Sequence, residues 1–329
     1  MLPVDYRLPA EWEPQEALLL AWPGAHGDWQ PVLDRIRAEY VGLVEAVLAH
    51  QTVVLLVEAG DDSADELLGE HPRLDRIRLR YNDTWCRDYG PLVLCSAGRR
   101  LALDFHFNGW GGKHEARLDN RVNARLAALP RFSDFEFRQS LLELEGGAIE
   151  CDGRGTLLIN RHCFRQRHPV LDNAEMDADL KDWLNAVHLI EIDIPPIPGD
   201  DTDGHIDTLV RFAAPDRLVF QQLRDREATR HLLGQLEMLR DRDGRPFELV
   251  SMPVPDHIDA GLPASYVNYA LINDGVVMPQ FGSRSDDRAA RIAAELFPGR
   301  EVHAVGASTL AGQGGGPHCA SMHIPAALP

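Results

Sequence analysis

No pair among the five cysteines of this 329-residue chain is spaced C-x-x-C. Cys86, Cys95, Cys151, Cys163 and Cys319 are odd in number and widely scattered. That excludes a paired disulfide framework and a cysteine-built zinc module, and leads us to expect free thiols in a reducing cytoplasm. Positive charge is scarce as well. Against 51 Asp and Glu stand 33 Lys and Arg, a net charge of −18. Such a surface repels nucleic acid and anionic membrane and favours a cationic ligand. No apolar run approaches the length of a membrane span. Met1-Leu2-Pro3-Val4-Asp5-Tyr6 lacks the basic and apolar regions of a secretory signal. Neither a Ser/Gly-rich linker nor a strict sequence period divides the chain, so one domain over residues 1–329 is expected.

Hydrophobic residues make up 44% of the chain, ample for a packed core. Apolar, β-branched runs bounded by Gly, Pro and Asp predict strands at Ala17–Trp22, Thr52–Glu58, Leu101–Phe107, Thr156–Ile159, Leu189–Ile194, Leu209–Phe212, Leu218–Gln221, Tyr266–Ile272 and Val276–Met278. Between Pro31 and Ala49, Val32, Leu33, Ile36, Tyr40, Leu43, Val44, Val47 and Leu48 recur at three- and four-residue steps, a helical period. Pro31 suits its first turn. Glu175–Leu184, Glu227–Leu239 and Asp286–Leu296 read as helices too. Strands and helices therefore alternate, with more strands than a plain βαβ series needs. Polar, Gly-bearing strings interrupt them near residues 83–91, 145–153, 199–208 and 312–319. One such string per unit is what a ring of repeats would offer to a central site.

Each string carries chemistry. Gly314-Gly315-Gly316-Pro317-His318-Cys319 ends a glycine run on one thiol, where backbone and substrate can approach closely. Asp83-Thr84-Trp85-Cys86-Arg87-Asp88 sets carboxylates beside an aromatic ring, a pairing that can grip and stack a planar cation. Alone, it also reads as a solvated turn whose Arg87 and Asp88 pair locally. Glu145-Gly146-Gly147 places an acid before two glycines, able to accept from an imidazole or guanidinium. In Gly199-Asp200-Asp201-Thr202-Asp203-Gly204-His205-Ile206-Asp207 the calcium-loop order fails and closed zinc spacing is missing. On a strand, His205 and Asp207 would share one face. A thiol, an imidazole and a surplus of carboxylates suit a substrate that is itself a planar cation, and guanidinium is the obvious choice.

Trp85-Cys86-Arg87-Asp88-Tyr89-Gly90-Pro91, Phe107-Asn108-Gly109-Trp110-Gly111-Gly112, Glu145-Gly146-Gly147, Asp152-Gly153-Arg154-Gly155-Thr156, Gly204-His205-Ile206-Asp207, Ala264-Ser265-Tyr266-Val267-Asn268 and Gly315-Gly316-Pro317-His318-Cys319 resemble the agmatine deiminase family. That family sits with the bacterial peptidyl-arginine deiminase-like proteins in the guanidino-group modifying superfamily. The resemblance runs in order from about residue 10 to the end. It implies a five-bladed α/β propeller (pentein-like) of ββαβ units around a pseudo-fivefold axis, with the site in the central channel. It places the nucleophile on Cys319, the general acid/base on His205, the guanidinium-gripping acids on Asp88 and Asp207, and the histidine-orienting acid on Glu145. Trp85 is the implied stacking residue. Asp83, Asp201 and Trp110 are candidates for a second cation at the substrate's far end; a carboxylate there would need Arg87 or Lys113. The tail departs from the family, which has Asn-Ile before His-Cys and a Gln-rich string after it. The implied reaction is hydrolysis of agmatine to N-carbamoylputrescine and ammonia through a thiouronium on Cys319, with no metal or organic cofactor, no nucleic acid and no membrane partner. A homodimer is left open. The competing readings are a peptidyl-arginine deiminase, an amidinotransferase using the same intermediate, and a guanidine-binding protein without catalysis.

Overall fold

Three of the four polar strings stand just before the first strand of a small sheet, and the string at 145–153 runs through one. The structure, a computed structural model, describes residues 5–256 and 261–327. Met1–Val4, part of the string read above for a secretory signal, lie outside them. The strands are β1 (Gln15–Ala21), β2 (Thr52–Val57), β3 (Leu74–Arg78), β4 (Leu92–Ser96), β5 (Arg99–His106), β6 (Phe135–Glu143), β7 (Ile149–Cys151) and β8 (Thr156–Asn160). They continue with β9 (His188–Ile192), β10 (Val210–Ala214), β11 (Arg217–Gln221), β12 (Glu248–Met252), β13 (Ala270–Ile272), β14 (Gly275–Gln280), β15 (Glu301–Gly306) and β16 (Ser321–Pro325).

They form five sheets. Four are three-stranded and repeat one plan: β4-β5-β6, β7-β8-β9, β10-β11-β12 and β13-β14-β15. In each, the first pair is antiparallel and the second parallel. A parallel partner needs a crossover, and a helix supplies it. The fifth sheet, β16-β1-β2-β3, follows the same plan with one strand added. Its first member is the last strand of the chain: β16 runs antiparallel to β1, with Leu18 opposite His323 and Leu20 opposite Ser321.

The crossover helices bury one stripe each. In Leu33–Leu48, Ile36, Tyr40, Leu43, Val44 and Val47 face inward. Leu232 and Leu236 do so in Arg226–Met238, and Ala289, Ala293 and Leu296 in Asp286–Leu296. Asn173–Leu184 starts with a capping box between Asp172 and Glu175, which satisfies backbone donors that the first turn leaves open. The strands predicted from apolar runs are present, with ends shifted by a few residues. One is too long: only Ala270–Ile272 of Tyr266–Ile272 is strand, and the residues before it form a turn at the site. Among the described residues no helix is long and apolar enough to cross a membrane.

Candidate active site

The turns before the five first strands bring their polar residues together. Cys319 precedes β16, Asp88 precedes β4, Glu145 precedes β7, His205 and Asp207 precede β10, and Asn268 precedes β13. The Cys86–Tyr89 turn packs against Gly146–Ala148, which packs against Ile206–Thr208. His205 and Asp207 do not lie on a strand. Ile206–Thr208 is a tight 3-10 turn and β10 starts only at Val210. The turn still aims both side chains into one space. A Cβ on Gly147 would stand 2.6 Å from His205 Nδ1, 2.9 Å from Asp88 Oδ1 and 3.2 Å from Asp207 Oδ2. Only glycine fits there.

Cys319 is 6% exposed and opens onto a cavity of about 380 Å³. Its Sγ lies 3.4 Å from Asp207 Oδ2 and accepts from Asn268 Nδ2 at 3.0 Å. Asn268 also fixes the cysteine backbone, its Oδ1 accepting from Cys319 N at 3.2 Å. Burial, and then the charges of Asp207 and Asp88, hold the thiol well above its ordinary value, so it rests protonated. Asp88 Oδ1 accepts from Gly147 N and its Oδ2 from Trp110 Nε1, both at 2.9 Å. Burial lifts Asp88 to about 6 against the opposing pull of His205.

His205 is flanked on both sides. Nδ1 lies 3.7 Å from Asp88 Oδ1, and Nε2 lies 3.7 Å from Glu145 Oε2. Among the described residues neither ring nitrogen has a hydrogen-bond partner within normal reach. Burial works against a charge on the ring, but Asp88, followed by Cys163 and Glu145, outweighs it and holds the imidazole well above its usual value. Glu145 is fixed by Arg167, whose Nε donates to Oε1 at 2.5 Å. Burial opposes the charge of Glu145, but His205 and Arg167 keep it below the ordinary range. Arg167 is anchored in turn by Asp203 and by Thr202 O. The resting site thus holds a neutral thiol and a charged imidazole among carboxylates, equipment suited to proton donation and to a cationic ligand.

Trp85 lines the cavity, and its ring sits against the glycine run: a Cβ on Gly315 would meet Trp85 Cζ3 at 2.4 Å. Trp110 also lines it, in a left-handed backbone conformation (φ 54°) that an L residue adopts at a cost. That conformation delivers its indole N–H to Asp88. Asp201 stands at the mouth, half exposed, with Oδ2 2.8 Å from His114 Nε2. Asp83 borders the cavity too, but its Oδ1 already accepts from Trp29 Nε1 at 3.1 Å and from Thr84 N at 2.7 Å. Arg87 does not pair with Asp88. It points away from the cavity, with Nη1 3.0 Å from Glu11 Oε1 and Nη2 2.7 Å from His323 Nδ1. Lys113 is tied to Asp203 at 2.8 Å and to Asp201 O.

Asn268, Arg167, Glu11 and His318 were not singled out for roles in the sequence. His318 is adjacent to the thiol and fully buried. Its Nδ1 lies 2.7 Å from Asp207 Oδ2 and its Nε2 2.8 Å from Glu11 Oε1. Glu11 is held by Arg211 as well. Asn268 lay inside a quoted motif, but its spacing carried no chemical signal. Arg167 had none.

A buried thiol facing paired carboxylates, with an imidazole between two acids, defines a cysteine enzyme of the guanidine-acting kind. The family model of the Porphyromonas-type peptidyl-arginine deiminases matches residues 7–325, and the chain belongs to that family. A Legionella pneumophila relative, provisionally named an agmatine deiminase, is 33% identical over 334 residues, covering 97% of this chain and 95% of its own. The agmatine deiminase of Pseudomonas syringae pv. tomato is 29% identical over 357 residues, covering 98% and 96%. A solved Campylobacter jejuni agmatine deiminase, a Cys-to-Ser variant with substrate bound, has a TM-score of 0.90 at 30% identity, covering 98% of this chain and 97% of that one.

Proposed function

We propose that this chain is an agmatine deiminase: a hydrolase that converts agmatine to N-carbamoylputrescine and ammonia. One observation carries the choice of substrate. No lysine or arginine lines the cavity among the described residues, while Asp28, Asp83, Asp88 and Asp201 all do. A substrate with a cation at each end meets acids at both. The carboxylate of arginine would find no basic partner there, because Arg87 faces inward and Lys113 is spent on Asp203 and Asp201. The atypical tail does not alter this reading. Residues after Cys319 form β16 and line no described part of the cavity.

The guanidinium enters between Asp88 and Asp207, and Trp85 stacks on it. Its charge offsets the carboxylates that keep the Cys319 thiol protonated, and on binding the thiol gives up its proton to solvent water. Asn268 Nδ2 supports the thiolate. Sγ attacks the guanidinium carbon, His205 donates a proton to the departing nitrogen, and ammonia leaves. The planar thiouronium stays bonded to Cys319. His205, now neutral, takes a proton from water as the oxygen adds to the same carbon. The C–S bond then breaks, its electron pair leaving with sulfur as thiolate, the hydroxyl proton passes through solvent to restore the thiol, and the neutral ureido product is released. Glu145, set by Arg167, orients His205 throughout. The five sheets of one plan, each opening on a turn that supplies part of the site, support a five-bladed arrangement around a central channel in one catalytic domain. Initial-rate ammonia release from agmatine, free arginine and a peptide with an internal arginine tests the proposal. Agmatine should have the highest kcat/KM. A better rate with arginine or peptide would refute the substrate, and silence with all three would refute the reaction.

A further inference from the structure

Outside the set of residues that line the Cys319 cavity, the end of the Leu33–Leu48 helix meets β15. His50, just beyond that helix, turns its Nε2 to within 2.7 Å of His303 Nε2. Glu301, two residues before His303 on β15, brings Oε2 to 3.7 Å from His50 Nε2 and 3.8 Å from His303 Nε2. The three ligand atoms lie within 4.8 Å of one another. The histidine side chains are 14% and 18% exposed and the glutamate 68%, so the rings are held while the carboxylate stays free to swing in. The rings meet edge to face, centroids 4.8 Å apart at 70°.

We propose that His50, His303 and Glu301 form a binding site for a divalent cation of zinc type, separate from the reaction centre. Zinc takes imidazole nitrogen and carboxylate oxygen at about 2.0–2.2 Å in tetrahedral geometry, which sets neighbouring ligand atoms about 3.3 Å apart. The observed 2.7, 3.7 and 3.8 Å scatter around that spacing and reach it by shifts of about half an ångström. Water completes the fourth position on the exposed side. Two imidazoles favour zinc, nickel or copper over magnesium and calcium, which want oxygen ligands. The ligands are 253 residues apart in sequence. They come from the segment leading into β2 and from the β13-β14-β15 sheet, so a bound ion clasps two sheets and stabilises the folded state by linkage.

The test uses the full chain as Cys319→Ala, which removes a competing thiol, freed of metal and of any histidine tag. Zinc is titrated against a chromophoric chelator, and the thermal midpoint is followed with and without zinc. We expect one bound zinc ion that is lost in His50→Gln and His303→Gln, and a rise in midpoint that disappears with it. Glu301→Gln, an exposed change that leaves folding intact, should weaken binding by about 10–100-fold, at least the cost of losing an outer partner. Magnesium should give no shift. Undiminished binding in both histidine variants, no midpoint shift at saturating zinc, or an equal response to magnesium would each overturn the site.

Discussion

His318 Nδ1 lies 2.7 Å from Asp207 Oδ2, and on the other side of the same ring Nε2 lies 2.8 Å from Glu11 Oε1. Each gap needs one proton for its hydrogen bond. The ring therefore locks Asp207 Oδ2 beside the thiol and leaves Oδ1 buried with no hydrogen-bond partner among the described residues. Burial, and then the guanidiniums of Arg211 and Arg87, pull His318 below its ordinary value, opposed by Glu11 and Asp207. His318 is thus a positioning residue acting through Asp207. His318→Asn shortens the side chain and breaks at least one of these bonds. It should lower kcat/KM for agmatine by about 10–100-fold, from the ~1–3 kcal/mol cost of stranding a buried polar group. Glu11→Gln should act in the same direction and less strongly. If His318→Asn lowers the unfolding temperature and leaves kcat/KM of the folded enzyme unchanged, the role is structural only.

Asp88 and Asp207, the two acids proposed to share the guanidinium, titrate differently. Burial lifts Asp88 to about 6, whereas His318 and His205 outweigh burial at Asp207 and hold it below the usual carboxylate range. Below pH about 6 the free enzyme therefore carries a neutral Asp88, which cannot pair with a cation. The profile of kcat/KM should fall on the acid side near pH 6, and the fall should vanish in Asp88→Asn. Each Asn variant should lose about 2–4 kcal/mol of transition-state stabilisation, the scale of removing one partner from a buried charge pair. An acid limb that survives unchanged in Asp88→Asn would show that another group controls it.

Much of this was legible in the chain because the site-bearing turns are polar breaks in apolar runs. Asp88, Glu145, His205, Asp207 and Cys319 all stood out that way, and all five converge. The strands that escaped, β3, β4, β6, β7, β12, β15 and β16, lie at sheet edges. Some, such as Leu74-Asp75-Arg76-Ile77-Arg78, mix charge with apolar residues because one side meets water, and β7 is only three residues long. The turn at Ile206–Thr208 was hidden because Ile206, fully buried, reads as strand-like. Arg167 could not be found from local pattern at all. It reaches Glu145 from 22 residues away, and only the fold makes them neighbours.

Gly315 is required for space. A Cβ there would stand 2.4 Å from Trp85 Cζ3 and 3.0 Å from Cys319 Cβ. Gly315→Ala should displace the tryptophan ring or the cysteine turn and cut kcat/KM by about 1–3 kcal/mol, the range for overpacking. Gly234, in the middle of the Arg226–Met238 helix with open space around it, is the control. Gly234→Ala should stabilise the protein by about 0.5–1 kcal/mol through helix propensity and leave activity alone. Equal kinetics for the two variants would refute the crowding at Gly315.

Cys319→Ala should abolish ammonia release and keep the fold, since a small side chain is removed from the wall of an open cavity. Quenched wild-type enzyme should carry a substrate-derived amidine mass on the peptide containing Cys319. Cys86, Cys95, Cys151 and Cys163 should tolerate serine. Cys86 faces Tyr89 OH at 3.3 Å, and burial pushes its thiol far up, so it packs and does not react. Cys163 is the stringent case among the four, because burial raises its thiol while neighbouring His205 pulls it down. A thousandfold loss in Cys163→Ser with an intact adduct on Cys319 would reassign part of the acid/base chemistry to Cys163.

Asp201 should set the preference for a second cation. It stands half exposed at the mouth, paired with His114, and its Oδ1 lies opposite Gly314 across the entrance, where a glycine Cβ would sit 3.6 Å away. A carboxylate that meets only the unreacting end of the substrate contributes equally to ground and transition states. Asp201→Asn should therefore raise KM for agmatine and leave kcat nearly unchanged. The effect should be small, about 0.5–1 kcal/mol or a few-fold, because exposed pairs are screened by water and salt. Butylguanidine, which keeps the guanidinium and lacks the amine, should react equally well with parent and variant. Added salt should erase the difference for agmatine. If Asp201→Asn changes kcat, or penalises butylguanidine as much as agmatine, the residue acts on the reacting end and the far amine is held by another acid of the mouth.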